Sequence, residues 1–88
     1  MSVLRVFSLY DAKAQAFGVP FLQPTIGIAL RVITDLVSDD STTIHRHPAD
    51  FTLYHIADWS DEDGRFVLVI PPAHLGSGDT FVVNKERV

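Results

Sequence analysis

Val6-Phe7-Ser8-Leu9-Tyr10-Asp11-Ala12-Lys13-Ala14 starts as an apolar strand and breaks at Tyr10-Asp11 into a small, charged turn. From Val3 to Leu9 only Arg5 and Ser8 interrupt the apolar run, which predicts a central strand buried on both faces. Asp11 and Lys13 then fall at the rim of a sheet, where packing forces neither. Asp11 to Ala16 has room for one helical turn before Gly18, Pro20 and Pro24 stop it. Residues 17–24 read as a loop holding Phe17 and Phe21, because proline drives the residue before it toward extended backbone.

Beyond this loop, Ile26, Ala29, Leu30, Ile33, Leu36 and Val37 recur at the three-and-four spacing of one helical face. Thr25 suits the helix start and Asp39-Asp40-Ser41 ends the pattern, so a helix is predicted over 25–38. Ile28 and Val32 widen the stripe and imply cover on two sides, while Arg31 and Asp35 sit four apart on the opposite face. Residues 39–49 read as a polar loop. Phe51 to Trp59 and Arg65 to Ile70 read as two strands of a hairpin, with Asp63-Gly64 in its turn because glycine accepts positive φ. Pro71-Pro72 is expected to end the second of these strands, since proline donates nothing to a ladder. Ala73-His74-Leu75 is read as one helical turn before the Gly76-Ser77-Gly78 hinge. The predicted class is α+β: one main helix packed on a small, mostly antiparallel sheet of three or four strands. If the first two long strands are neighbours, the helix between them implies a right-handed crossover joining parallel strands. Residues 1–88 form a single domain, with 79–88 an edge strand (Thr80 to Val83) or a flexible arm.

Eighty-eight residues suit one domain, and such a short chain buries only somewhat more than about 60% of its unfolded surface. A hydrophobic fraction of 47% supplies a core, and 20% charged residues is too few for general disorder. With no cysteine, disulfides and thiolate metal sites are excluded, and the chain suits a reducing cytoplasm. No basic-then-apolar leader opens the sequence, and Arg31, Thr34 and Asp35 interrupt the longest apolar stretch, so no membrane span is expected. A net charge of −4 opposes a sequence-independent grip on phosphates, though not a local basic patch.

Candidate chemistry is sparse. His45-Arg46-His47 is the most basic local segment; its paired imidazoles would hold zinc only if a third ligand such as Asp50 converged, and the solvated-loop reading is preferred. Asp58, Asp61, Glu62 and Asp63 crowd a turn where water keeps them ionised, which favours turn chemistry and solubility over acid–base catalysis. No nucleophile elbow or phosphate-cradling glycine loop occurs, so neither catalytic residues nor a cofactor is assigned. Phe17, Phe21, Tyr54 and Trp59 are weighed as base-stacking rings against core packing, and core packing is preferred for most. Lys13, Arg31 and Arg46 would flank such rings if the fold gathered them at one rim. The exposed-looking apolar loop around Phe21 is the candidate partner contact. Lys85-Glu86-Arg87 makes a slightly cationic end.

Taken in order, Tyr10-Asp11-x-Lys13-Ala14, Pro20-Phe21, Ala29-x-Arg31, and Pro48-x-Asp50-Phe51-x-Leu53 with a hairpin strand after it resemble the small nonstructural protein of gokushovirus-type single-stranded DNA phages. The resemblance spans roughly Phe7 to Leu75; Ala57-Asp58-Trp59 stands where a glycine-containing stretch is more usual, and residues 78–88 find no match. It implies a nonstructural phage protein in the host cytoplasm, described as DNA-binding or likened to the protein that switches microvirus replication to single-strand synthesis and packaging. On that basis a non-enzymatic protein is expected, binding single-stranded or duplex DNA, with Lys13 and Arg31 carrying the family pattern and His45, Arg46 and His47 added from local charge. A homo-oligomer would let weak basic spots act together. The alternative is a module docking onto phage or host replication or procapsid components.

Overall fold

The computed structural model describes residues 2–82. Strand β1 (Val3–Asp11) is followed by β2 (Ala16–Phe17), β3 (Phe21–Gln23), helix α1 (Ile26–Ser38), the short helix α2 (Thr43–Arg46) and a 3-10 turn at Pro48–Asp50. The hairpin β4 (Phe51–Ser60) and β5 (Phe66–Ser77) completes the sheet, and a second 3-10 turn, Gly78–Phe81, ends the described chain. The fold is α+β, with one main helix on an open five-stranded sheet in which every pairing is antiparallel. The order is β2-β1-β4-β5, with β3 also on the free side of β1.

Thr25 caps α1 as expected, its hydroxyl accepting from the Ile28 N–H at 3.1 Å. Ala29, Ile33 and Val37, four residues apart, are the buried stripe of the helix. They close with Phe7, Leu53 and Ile44 into the core, and Phe7, Ile33 and Leu53 are fully buried. Each such side chain contributes about 1.5–3 kcal/mol relative to exposure. Ile26 and Ile28 remain 38% exposed, so the expected second covered side of the helix is absent.

The hairpin turn is as predicted, with Gly64 at φ 73 and the Ser60 N–H bonded to the Arg65 carbonyl at 3.0 Å. At Gly78 glycine is needed for a different reason: a Cβ there would overlap the Pro48 carbonyl oxygen.

Several expectations are corrected. β1 and β4 are neighbours but antiparallel, from Val3 beside Ser60 to Asp11 beside Phe51. The unforeseen β3 adds one reversal, so the helix returns the chain to the end of the sheet where β4 must start downward. Only Val6, Phe7 and Ser8 of β1 are buried, and the strand runs on to Asp11, replacing the expected helical turn. The polar loop after α1 folds into α2 and a 3-10 turn. β5 continues through Pro71-Pro72 to Ser77, taking Ala73-His74-Leu75 as strand rather than helix. It survives the prolines because it is the outermost strand among the described residues, where outer N–H groups need no ladder partner, and because residues 69–72 form a bulge opposite Ile56 alone. Thr80 belongs to a 3-10 turn rather than an edge strand, and Phe81 packs on the core. Val83 and the Lys85-Glu86-Arg87 end lie outside the described residues.

Candidate nucleic-acid interface

Strand alternation and register assign each side chain to a face, because directly opposed residues and residues two apart point the same way. Phe7, Leu9 and Leu53 face α1. On the other face β1 sends Leu4, Val6, Ser8 and Tyr10, and β4 sends Thr52, Tyr54, Ala57 and Trp59. Phe17 stands opposite Tyr10, Leu22 opposite Val6, Phe66 opposite Trp59, Leu68 opposite Ala57 and His74 opposite Tyr54. No carboxylate, lysine or arginine lies among them. The strand charges Arg5, Asp11 and Asp58 all fall on the helix side.

At one end of this uncovered face four rings run in a row across the strands. Tyr10 and Phe17 have centroids 5.0 Å apart, Phe17 and Tyr54 5.6 Å, and Tyr54 and His74 5.8 Å, each pair edge-to-face. That is the arrangement the ring quadrupole prefers. Local structure fixes it. Asp11 Oδ1 accepts from the Lys13 N–H at 2.9 Å and the Ala14 N–H at 3.3 Å, tightening the turn that lays β2 beside β1. The buried Ser8 hydroxyl donates to the Gly18 carbonyl at 2.8 Å, and the Gly18 N–H to the Leu9 carbonyl at 2.8 Å. Phe17 is thereby held over the sheet yet 49% exposed. The β5 bulge brings Pro71 and Pro72 to the same place, and with Tyr10, Phe17 and Tyr54 they line an open depression of about 350 Å³.

The cations expected to gather at one rim are only partly brought together. Lys13 and His47 line one depression of about 320 Å³, but Asp11 and Asp50 line it with them. The Ala12 N–H bonded to the Asp50 carbonyl at 2.8 Å ties the two segments. Arg46 lies on the last turn of α2 and reaches Thr43 Oγ1 at 3.4 Å. His45 is structural: its Nδ1–H donates to the Val37 carbonyl at 2.6 Å and so satisfies the end of α1. The hydroxyl and N–H of Ser41 hold the nearby Asp39 carboxyl below its ordinary pKa. Arg31 is exposed on α1, away from the ring row, and makes no ion pair with Asp35. Phe21 is half-buried and stacks on Phe7 at 5.7 Å, so its ring is largely a wall of the core rather than a free partner contact. A continuous basic edge is therefore not what the fold builds. Among the described residues no three His, Asp or Glu side chains converge as metal ligands.

Sequence reasoning missed two arrangements. Asp58 is no part of the exposed acidic turn: it bonds Arg5 Nη1 at 2.9 Å and accepts from His55 Nε2 at 2.7 Å. Partial burial pushes its carboxyl up, but the hydrogen bonds and charges of His55 and Arg5 outweigh this and hold it below the ordinary carboxylate value. Tyr10 and His74 are the other omission; Tyr10 was present as alternation, since Ser8 and Tyr10 share a strand face as do Thr52 and Tyr54. What hid His74 was the assumption that the prolines end the strand.

Comparison with known proteins places the molecule. The profile of the family described as "Phage ORF5 protein" matches residues 4–81. The chain belongs to the phage ORF5 protein family. It is similar to Protein ORF5 of Chlamydia phage 1, 34% identical over 64 residues that cover 68% of this chain and 67% of that protein. No solved structure matches. Among the described residues of this ORF5 family protein no helix is long and apolar enough to cross a membrane.

Proposed function

We propose that this ORF5 family protein is a non-enzymatic, single-stranded DNA-binding protein of a gokushovirus-type phage. On this reading it acts in the host cytoplasm during viral single-strand replication and packaging. The observation that carries the reading is the ring row Tyr10–Phe17–Tyr54–His74 on the sheet face opposite α1, whose strand residues include no carboxylate. Bases have apolar faces and stack on such rings at about 1–3 kcal/mol per base, whatever their sequence. Unpaired bases are available for this only in a single strand, which sets that partner above duplex DNA. Lys13 follows three residues beyond Tyr10 and lines, with His47, a separate depression that Asp11 and Asp50 share.

Stacking thus replaces the phosphate grip that a chain of net charge −4 lacks. With one or two cations engaged on a single strand, the logarithm of affinity falls with the logarithm of salt at a slope of only about −0.7 to −1.4. Fluorescence anisotropy with labelled oligothymidine across a salt series tests this. Tyr54→Ala is expected to weaken binding about 5- to 150-fold, and Arg31→Ala to change it little. Absence of binding by the wild type at low salt removes the reading. A second reading, docking onto a replication or procapsid protein, draws support from Val19, which stands 89% exposed beside Pro20.

A further inference from the structure

The uncovered face has a second half, toward the hairpin turn, that the ring row does not use. Here Phe66 is 56% and Leu68 66% exposed beside the partly exposed Trp59 and Leu4, and Leu22 is 39% exposed. Val67, on the other face of the same strand, is 60% exposed, and Ile70 in the bulge is 82% exposed. β5 is also the outermost strand among the described residues, none of which pairs with the backbone groups on its outer side. Natural edge strands are blunted by charge, proline or a bulge. The bulge and prolines blunt β5 only from residue 69 onward, and Phe66-Val67-Leu68 carries no protecting charge.

We propose that this half-face, with the Phe66–Leu68 edge, is buried against the same surface of a second copy of the chain. Three observations choose that occupant. The half-face is apolar and self-complementary: the same half-face of a second copy, packed antiparallel across a two-fold axis, sets Leu4, Trp59, Phe66 and Leu68 against their counterparts. Charge sets the direction. A parallel alignment would lay the Asp61-Glu62-Asp63 turns side by side, whereas the antiparallel one points each turn toward the Pro71–Ser77 end of the other copy, where the strand holds no carboxylate. The size also suits. Roughly half of a four-stranded face plus its edge offers on the order of 500 Å² per copy, or about 1,000 Å² in total. That sits at the threshold for a specific interface and implies a dimer of modest affinity.

The test uses the full chain without nucleic acid, so its outcome is separate from that of the DNA-binding reading. Sedimentation velocity is measured from micromolar to near-millimolar protein for the wild type, Leu68→Glu and the control Val19→Glu, whose site is exposed but off this half-face. The wild type is expected to reach twice the monomer mass. Leu68→Glu is expected to raise the dissociation constant at least about 30-fold while keeping the wild-type circular dichroism and urea midpoint, and Val19→Glu to dimerise as before. Should Leu68→Glu fail to fold, Phe66→Lys supplies the same comparison. A wild type that stays monomeric throughout overturns the proposal. So does a dimer indifferent to Leu68→Glu, or one equally dissociated by Val19→Glu.

Discussion

The two faces of this one sheet are built to different rules. The face under α1 is closed by Ala29, Ile33 and Val37, and the strand charges are on its side, paired or turned into local hydrogen bonds: Arg5 with Asp58, Asp58 with His55, Asp11 with its own turn. The strand residues of the other face include no carboxylate, lysine or arginine, and apart from the buried Val6, Ser8 and Ala57 its rings and aliphatic side chains are left partly in water. An antiparallel sheet with a solvated face ordinarily alternates apolar with polar residues. Here the polar half of that alternation is missing, and an uncovered apolar face of this extent marks a surface that meets something. Stability and recognition thus occupy opposite sides of the same strands, and residues one apart in sequence serve different ends.

The contrast predicts a hierarchy of responses. The largest belongs to the covered face: Phe7→Ala, at a fully buried ring against Phe21 and His55, should lower stability by about 3–5 kcal/mol in urea denaturation. On the uncovered face Leu68→Ala should move it by no more than about 0.5 kcal/mol. Equal losses at the two positions would break the distinction. Gly78→Ala comes next, because the added methyl meets the Pro48 backbone rather than a side chain that can turn away; a loss of about 1–3 kcal/mol is expected by the same measurement.

Asp58 sharpens the comparison through pH. Its folded-state pKa lies below the unfolded value of about 3.9, so the stability it contributes is complete above that value and is lost as pH falls through the folded pKa. Asp58→Asn should cost about 1–2 kcal/mol at neutral pH and flatten the acid limb of the stability profile, read as urea midpoints from pH 7 to low pH. An unchanged acid limb would mean that the Arg5–Asp58–His55 group contributes nothing. The smallest effect is expected at Arg31→Ala, exposed on α1, which should alter stability by about 0.5 kcal/mol at most.

Much of this organisation was legible in the sequence, and the lapses have physical causes. The periodicity of Ile26 to Val37 and the Thr25 cap gave the helix almost to the residue, and Asp63-Gly64 gave the hairpin, because both signals are local. The antiparallel β1–β4 pair depended on β3, a three-residue strand inside a proline-flanked loop whose only warrant is its pairing with β1. Pro71-Pro72 misled because proline forbids a central strand and not an outermost one, and no local pattern says which strand is outermost. For the site, Lys13, Phe17 and Tyr54 were in view but the ring row was not. Tyr54 and His74 are far in the chain from Tyr10 and Phe17, and the four rings meet only through register. The expected basic rim failed for the same reason, since closeness in sequence put Arg46 beside His47 but tertiary structure interleaved carboxylates.

One experiment bears most directly on the division between the faces: a heteronuclear NMR titration of the labelled protein with a short oligothymidine. The account predicts shift changes concentrated at Tyr10, Lys13, Phe17, Tyr54 and His74, with α1 and its Arg31 unmoved. Changes centred on α1, or no change anywhere at low salt, would contradict it.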